Sequence, residues 1–189
     1  MDLFDAIQNR QSIGTVKPDA VPREDIEKLL SAAVQAPNHY KVRPWRFVVL
    51  TGEGRERLGK VMAESAREQN PGLPEEALSK VEQKERSKPL RAPVLIAIGV
   101  DRPSDPKVLE IENVCAAAAA CQNLLLAAHG MGLAAKWRTG EPASDPRVKA
   151  FLGFAPEQHL IAFLYIGYPE SEPEAAQRPS FEDRTVWMD

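Results

Sequence analysis

The sequence predicts an α/β or α+β fold, a sheet packed between helices. Three apolar runs carry that prediction, at Trp45–Leu50, Ala92–Val100 and His159–Gly167, each of strand length. Helical patterns separate them, and no Asn-Gly hairpin turn joins any two. With 189 residues, a single domain with one main core is expected.

The elements follow in order. Leu3, Phe4 and Ile7 fall on one side of a first helix over Asp2 to Asn9, with Asp2 as its cap. A second helix opens at Val21-Pro-Arg-Glu-Asp and carries Ile26, Leu29, Leu30, Ala33 and Val34 as an i, i+3, i+4 stripe before Pro37 closes it. Pro37 and Pro44 bracket a polar loop, because neither can sit inside a regular hydrogen-bonded element. Trp45 to Leu50 then reads as a strand covered on both faces.

Thr51-Gly-Glu-Gly reads as a turn, followed by a helix to about Gln69, a break at Asn70-Pro-Gly-Leu-Pro and a charged helix from Glu75 to Lys88. The whole stretch from about 54 to 90 is expected to be a helical excursion or lid, with Glu82, Lys84, Glu85, Arg86 and Lys88 as a solvated face. After the buried run Ala92–Val100 and a proline-bearing loop, the longest helix is expected over Val108 to Met131. Its five consecutive alanines, 116 to 120, leave it slim enough for close approach from several sides, as befits a central helix or a subunit interface. Gly130 and Gly132 end it, and Leu133 to Gly140 forms a short strand. Asp145 caps a small helix over Pro146 to Leu152, and His159 to Gly167 is the last strand. From about 169 to 189 a Pro- and Glu-rich arm ends in Phe181 and Trp187, aromatics expected to pack on something.

Composition excludes several functions. The net charge of −3 provides no general basic field for nucleic acid or an anionic membrane. Met1-Asp-Leu-Phe-Asp has no secretory n-region, and no charge-free apolar run is expected to reach the length of a membrane span, so a cytoplasmic address follows. Cys115 and Cys121 lie outside any CxxC or zinc spacing and are expected to be small buried residues. With only three histidines, 39, 129 and 159, and no HExxH, no metal site is expected.

Gly130-Met-Gly-Leu-Ala-Ala135 fits the dinucleotide pattern GxGxxG/A, but here the glycines close a helix instead of opening one, so the pyrophosphate would meet no free helix N–H groups. Donors cluster instead at three element ends: Arg10 with Ser12, Gln35 to His39, and Trp137-Arg138-Thr139. Arg10 and Arg138 could fork onto a phosphate, with the Ser12 and Thr139 hydroxyls adding bonds, while Ala36, Pro37, Leu133 and Ala134 could wall a flat ring. Each arginine alone would be an ordinary surface charge; the combination is what points to an anion site.

The sequence resembles the FMN-dependent nitroreductase superfamily, in particular its short bacterial NAD(P)H nitroreductase type. The resemblance rests on Asn9-Arg10-Gln11-Ser12, on Ala36-Pro37-Asn38-His39 with Pro44-Trp45-Arg46-Phe47, on Gly132 through Trp137-Arg138-Thr139-Gly140, and on Phe163 to Pro169. It implies an α+β fold, a mostly antiparallel central sheet flanked by helices, in a homodimer with a C-terminal arm and two FMN sites at the subunit boundary. It further implies that Arg10, Gln11, Ser12, Trp137, Arg138 and Thr139 hold FMN from one chain, with Gln35, Pro37 and His39 reaching it from the other. Gln11 and Gln35 stand where such proteins commonly carry a basic residue, which implies a softer grip on the cofactor. NADH or NADPH would reduce the flavin, and a small electron-poor acceptor such as a nitroaromatic or quinone would reoxidise it. No side chain is then expected to be a catalytic acid or base. A flavin-storage module with negligible turnover and a non-flavin nicotinamide dehydrogenase are the alternative readings.

Overall fold

The computed structural model describes residues 2–171 and 178–188. Eleven elements are used below: α1 (Leu3–Asn9), α2 (Arg23–Ala33), β1 (Trp45–Leu50), α3 (Gly52–Gln69), α4 (Glu75–Ser87), β2 (Val94–Val100), α5 (Glu110–Gly130), β3 (Ala134–Arg138), α6 (Glu141–Ser144), α7 (Pro146–Phe151) and β4 (His159–Gly167). The sheet runs β1-β2-β4-β3 and every pairing in it is antiparallel, so of the two fold classes the sequence allows, α+β is the one realised.

Strand alternation divides the core in two. Ile96, Ile98, Leu164 and Ile166 turn to one face, where they meet Ile26 and Leu29 of α2 and Ala117, Cys121 and Leu124 of α5. Leu95, Ala97, Phe163 and Tyr165 turn to the other, against Leu58 and Met62 of α3, Val148 of α7 and Phe154. Burial on both faces explains why β2 is an unbroken apolar run. The stretch 54–90 thus contributes two core side chains to this second face, and Glu85 is buried beside Lys88, which departs from the solvated face expected of it.

Other expectations are corrected. β1 is apolar in sequence but forms the sheet edge, where Arg46 and Val49 are exposed and Arg46 pairs with Asp101 at 2.9 Å. Thr51-Gly-Glu-Gly is not a separate turn, since α3 begins at Gly52. Val34 lies past the end of α2 and is 44% exposed. By length and mean hydropathy α5 does reach the measure of a membrane span, but its apolar side chains supply the domain core: eight of its residues, from Asn113 to Ala128, are buried. The short α6 had no pattern to reveal it.

Local chemistry sets the helix ends. The Asp2 carboxylate accepts from Phe4 N and Asp5 N, as its capping role requires. α5 ends in a left-handed Gly132 (φ +73°), with Leu133 N donating to Ala128 O at 2.8 Å and Gly132 N to His129 O at 3.0 Å. The glycines therefore terminate a helix and launch β3. Asp145 caps α7 through Arg147 N at 2.8 Å and also accepts from Ser65 Oγ, which ties α7 to α3. Replacing Asp145 by alanine removes both bonds and leaves the buried Ser65 hydroxyl with the Gln69 amide alone, its proton without an acceptor, so urea unfolding is expected to show a loss of about 2 kcal/mol.

Candidate functional site

The outer edge of β3 gathers one group of the predicted residues. α1 ends at Asn9 with Arg10 as its C-cap, and the chain then runs along β3, where Ile13 N donates to Ala135 O at 3.1 Å. It continues to Lys17 N, which donates to Tyr168 O at 2.8 Å beside a bridge between Val16 and Pro169. This segment borders the outer edge of β3, bonded to it at Ala135, and so places Arg10, Gln11 and Ser12 near the strand that carries Trp137 and Arg138.

Alternation along β3 sends its side chains to opposite faces. Trp137 packs toward α5 and spends its indole N–H on Ile161 O at 2.9 Å, leaving ring and backbone to offer. Lys136 and Arg138 point the other way, and the Arg138 guanidinium carbon lies 5.8 Å from the Tyr165 ring centroid. Burial raises the Tyr165 phenol above its ordinary value, an effect that Arg91 and Arg138 oppose. Thr139 is exposed at the strand end.

The guanidinium that acts on Arg10 is a residue that sequence reasoning did not single out. Arg178, returning from the C-terminal arm, donates to the Arg10 carbonyl. Arg10 is half-buried, and its pKa is held below the usual guanidinium value, first by loss of water and then by the neighbouring Arg178 charge. Six other arginines, 23, 46, 67, 102, 147 and 184, pair with carboxylates, but neither Arg10 nor Arg178 enters an ion pair among the described residues. Two like charges from opposite ends of a chain with net negative charge are thus brought together with no carboxylate between them among the described residues. A Pro-flanked arginine in a polar tail was the available clue, Arg178-Pro179.

The second group lies on a different surface. Pro37, Asn38 and His39 border a shallow groove of about 370 Å³ with Ile111, Glu112, Cys115, Ala116 and Ala119 of α5, and Arg10, Trp137 and Arg138 do not line it. His39 Nδ1 lies 2.9 Å from Glu112 Oε1, whose other oxygen accepts from Leu109 N at 3.1 Å. Gln35 is exposed, with its amide directed to Ser31 O at 3.4 Å. Between Asn38 and Pro44 the loop is strained: Tyr40, Lys41 and Arg43 all have φ near +50°, uncommon without glycine. The Asn38 side chain closes it by accepting from Arg43 N at 2.8 Å.

The surfaces around both groups are apolar. Leu3 and Phe4 of α1 and Leu109 and Ile111 at the start of α5 are each more than half exposed, and Trp187 of the arm is 81% exposed. Phe181 and Trp187 thus pack on no core among the described residues. Cys115 is exposed instead of buried, whereas burial pushes the Cys121 thiol up to about 12. A thiol reagent at pH 8 is expected to leave Cys121 unmodified in the native protein and to label it on unfolding, by mass of the Cys121 peptide. Among the described residues no cluster of His, Cys, Asp or Glu could hold a metal.

Comparison with known proteins places this geometry in context. A model described as the Nitroreductase family matches residues 7–168. The chain is 31% identical over 170 residues, 90% of each chain, to an Escherichia coli K12 protein that carries the provisional name NAD(P)H nitroreductase YdjA. A nitroreductase-like family protein from Bacillus cereus superposes with a TM-score of 0.85 at 26% identity, over 100% of this chain and 97% of that one. The FMN-dependent nitroreductase NfnB from Mycobacterium smegmatis, solved with NADPH, gives 0.75 over 98% and 97%; at 17% identity that likeness is one of fold.

Proposed function

Because this chain belongs to the nitroreductase family, we propose that it is an FMN-dependent oxidoreductase passing electrons from NADH or NADPH to a small electron-poor acceptor such as a nitroaromatic or a quinone. The observation that carries the flavin reading is the juxtaposition of Arg10 and Arg178, whose charges call for an anion close to doubly charged, such as a phosphate monoester. When bound, the isoalloxazine supplies the chemistry, accepting hydride from nicotinamide and returning electrons to the acceptor. The residues of this chain bind, orient and shield.

Arg10 and Arg178 grip the phosphate, and Gln11 and Ser12 follow along the segment that borders β3. Trp137, Arg138 and Thr139 border the same site, Arg138 steadied by Tyr165. Gln35, Pro37 and His39 reach it from a second copy of the chain, in a homodimer with two sites. That arrangement is supported by their location on a separate surface and by the exposed apolar side chains of α1, α5 and the arm. No side chain needs to act as acid or base, and the expected address is cytoplasmic.

The test is a visible spectrum of purified protein before and after acid release of its chromophore, followed by anaerobic mixing with NADH or NADPH. A yellow protein that releases FMN and bleaches promptly supports the reading. Protein that stays colourless after incubation with FMN overturns it, and a yellow protein that fails to bleach is a storage module.

A further inference from the structure

A cavity of about 690 Å³ lies between α2, the rim strand β1 and the first turn of α3, and none of the residues assigned to the flavin site line it. Its volume is that of a small-molecule pocket. Val21, Ile26, Leu30, Val49 and Val94 make its walls apolar. Three ionisable side chains also line it. Arg23 and Glu27 pair with each other at 2.8 Å across one turn of α2, both largely in solvent, so their charges cancel. The third is Arg55, which enters no ion pair among the described residues, unlike the six arginines paired with carboxylates.

Arg55 is half-buried and only partly satisfied. One terminal nitrogen donates to Ala92 O at 2.6 Å, while its Nε is shut off from solvent and meets no acceptor. Leaving a buried N–H of a charged group unpaired is costly, so the guanidinium calls for an acceptor, and the cavity it lines is the space that can supply one. The start of α3 adds to the same field. Thr51 and Gly52 line the cavity at the N-terminus of this 18-residue helix, and the Thr51 side chain does not cap it. Glu53, the acidic residue of that turn, is exposed and lies outside the lining. Uncapped N–H groups and the positive end of the helix dipole therefore border the cavity together with Arg55. The walls carry one uncompensated positive charge over an apolar floor, which suits a single carboxylate on an apolar body.

We propose that this cavity binds an amphipathic monocarboxylate of the medium-chain fatty-acid kind, its carboxylate on Arg55 and the first turn of α3, its chain against Ile26, Leu30 and Val49. The site stands apart from the flavin reading and does not depend on it. The chain's own arm is fastened at Arg10, by the β3 rim of the sheet, whereas the cavity lies at the opposite rim, beside β1. α2 and β1 are also the elements that enter and leave the loop bearing Pro37 and His39, so the ligand spans the two ends of that loop.

The experiment titrates the full chain, with and without FMN, by calorimetry, using octanoate and the uncharged octanol as probes. Wild type should bind one octanoate per chain, more tightly than octanol, and FMN should not compete. Arg55→Met keeps the length of the stem and removes the charge; it should weaken octanoate about tenfold to a hundredfold and leave octanol unchanged. Arg55→Lys should recover part of that loss. Ala20→Trp, at an exposed residue of the lining, should fill the cavity and abolish binding of both probes. Urea midpoints report whether each variant is folded, and if Arg55→Met is not, Ala20→Trp decides. Octanoate binding that survives either replacement undiminished, or that FMN displaces, overturns the proposal. So does wild type that binds no octanoate, or binds it only after residues 186–188 are removed, since the cavity then belongs to the exposed apolar end of a second copy's arm.

Discussion

Replacing Arg10 and Arg178 together by alanine is expected to weaken FMN binding by about two to four orders of magnitude. Each charge-assisted phosphate contact is worth about tenfold to a hundredfold, and the two act on one group. A single replacement should cost about tenfold or somewhat more, because the remaining guanidinium is relieved of its like-charged neighbour and keeps its own bonds. Equilibrium titration of apoprotein with FMN measures both. The fold should barely notice: Arg10 is only half-buried and Arg178 is exposed, so urea midpoints should move little while affinity collapses. If Arg178→Ala binds FMN as tightly as the unaltered chain, the arm has been given a role it does not have.

Leu124→Ala is expected to produce the largest loss of stability from a single side chain. Leu124 is fully buried in α5, in the core shared with α2 and the sheet. Removing a buried leucine side chain costs about 2–5 kcal/mol, and where in that range a site falls depends on how well neighbours can fill the gap. Here they cannot fill it well. Ala117, Ala120 and Ala128 line the same helix, and alanine has no rotamer with which to move in. The upper part of the range, about 4 kcal/mol, should therefore apply, which lowers Tm by about 8–16 °C in a chain of this size. Calorimetry of the apoprotein checks it; a drop of only a degree or two would mean that α5 shifts bodily into the cavity.

Much of the fold was legible because each clue was local. Asp2 and Asp145 stand where caps are needed, Gly132 stands where a left-handed turn must follow a helix, and β2 is apolar throughout because both of its faces are covered. β1 defeated the same rule. An apolar hexamer reads alike whether it lies inside a sheet or along its rim, since lateral hydrogen bonding leaves no mark on hydrophobicity. Glu85 misled in the same way, its charge matched by Lys88 in a way that only helix packing reveals.

The site divides along the same line. Arg10 and Arg138 were legible as donors at element ends, but which cation stands against Arg10 was not. Arg178 reaches it across 168 residues of sequence, and no periodicity or spacing records a contact of that range.

By itself, then, the order of residues determined most of the helices, the four strands, the family pattern and the presence of cations at element ends, because propensity, capping and periodicity are properties of neighbours along the chain. The tertiary structure alone decided the antiparallel order of the sheet, the rim position of β1, the meeting of Arg10 with Arg178 and the cavity that Arg55 lines between α2 and β1. These are relations between distant segments, set by which faces must be buried together, and they exist only once the core has closed.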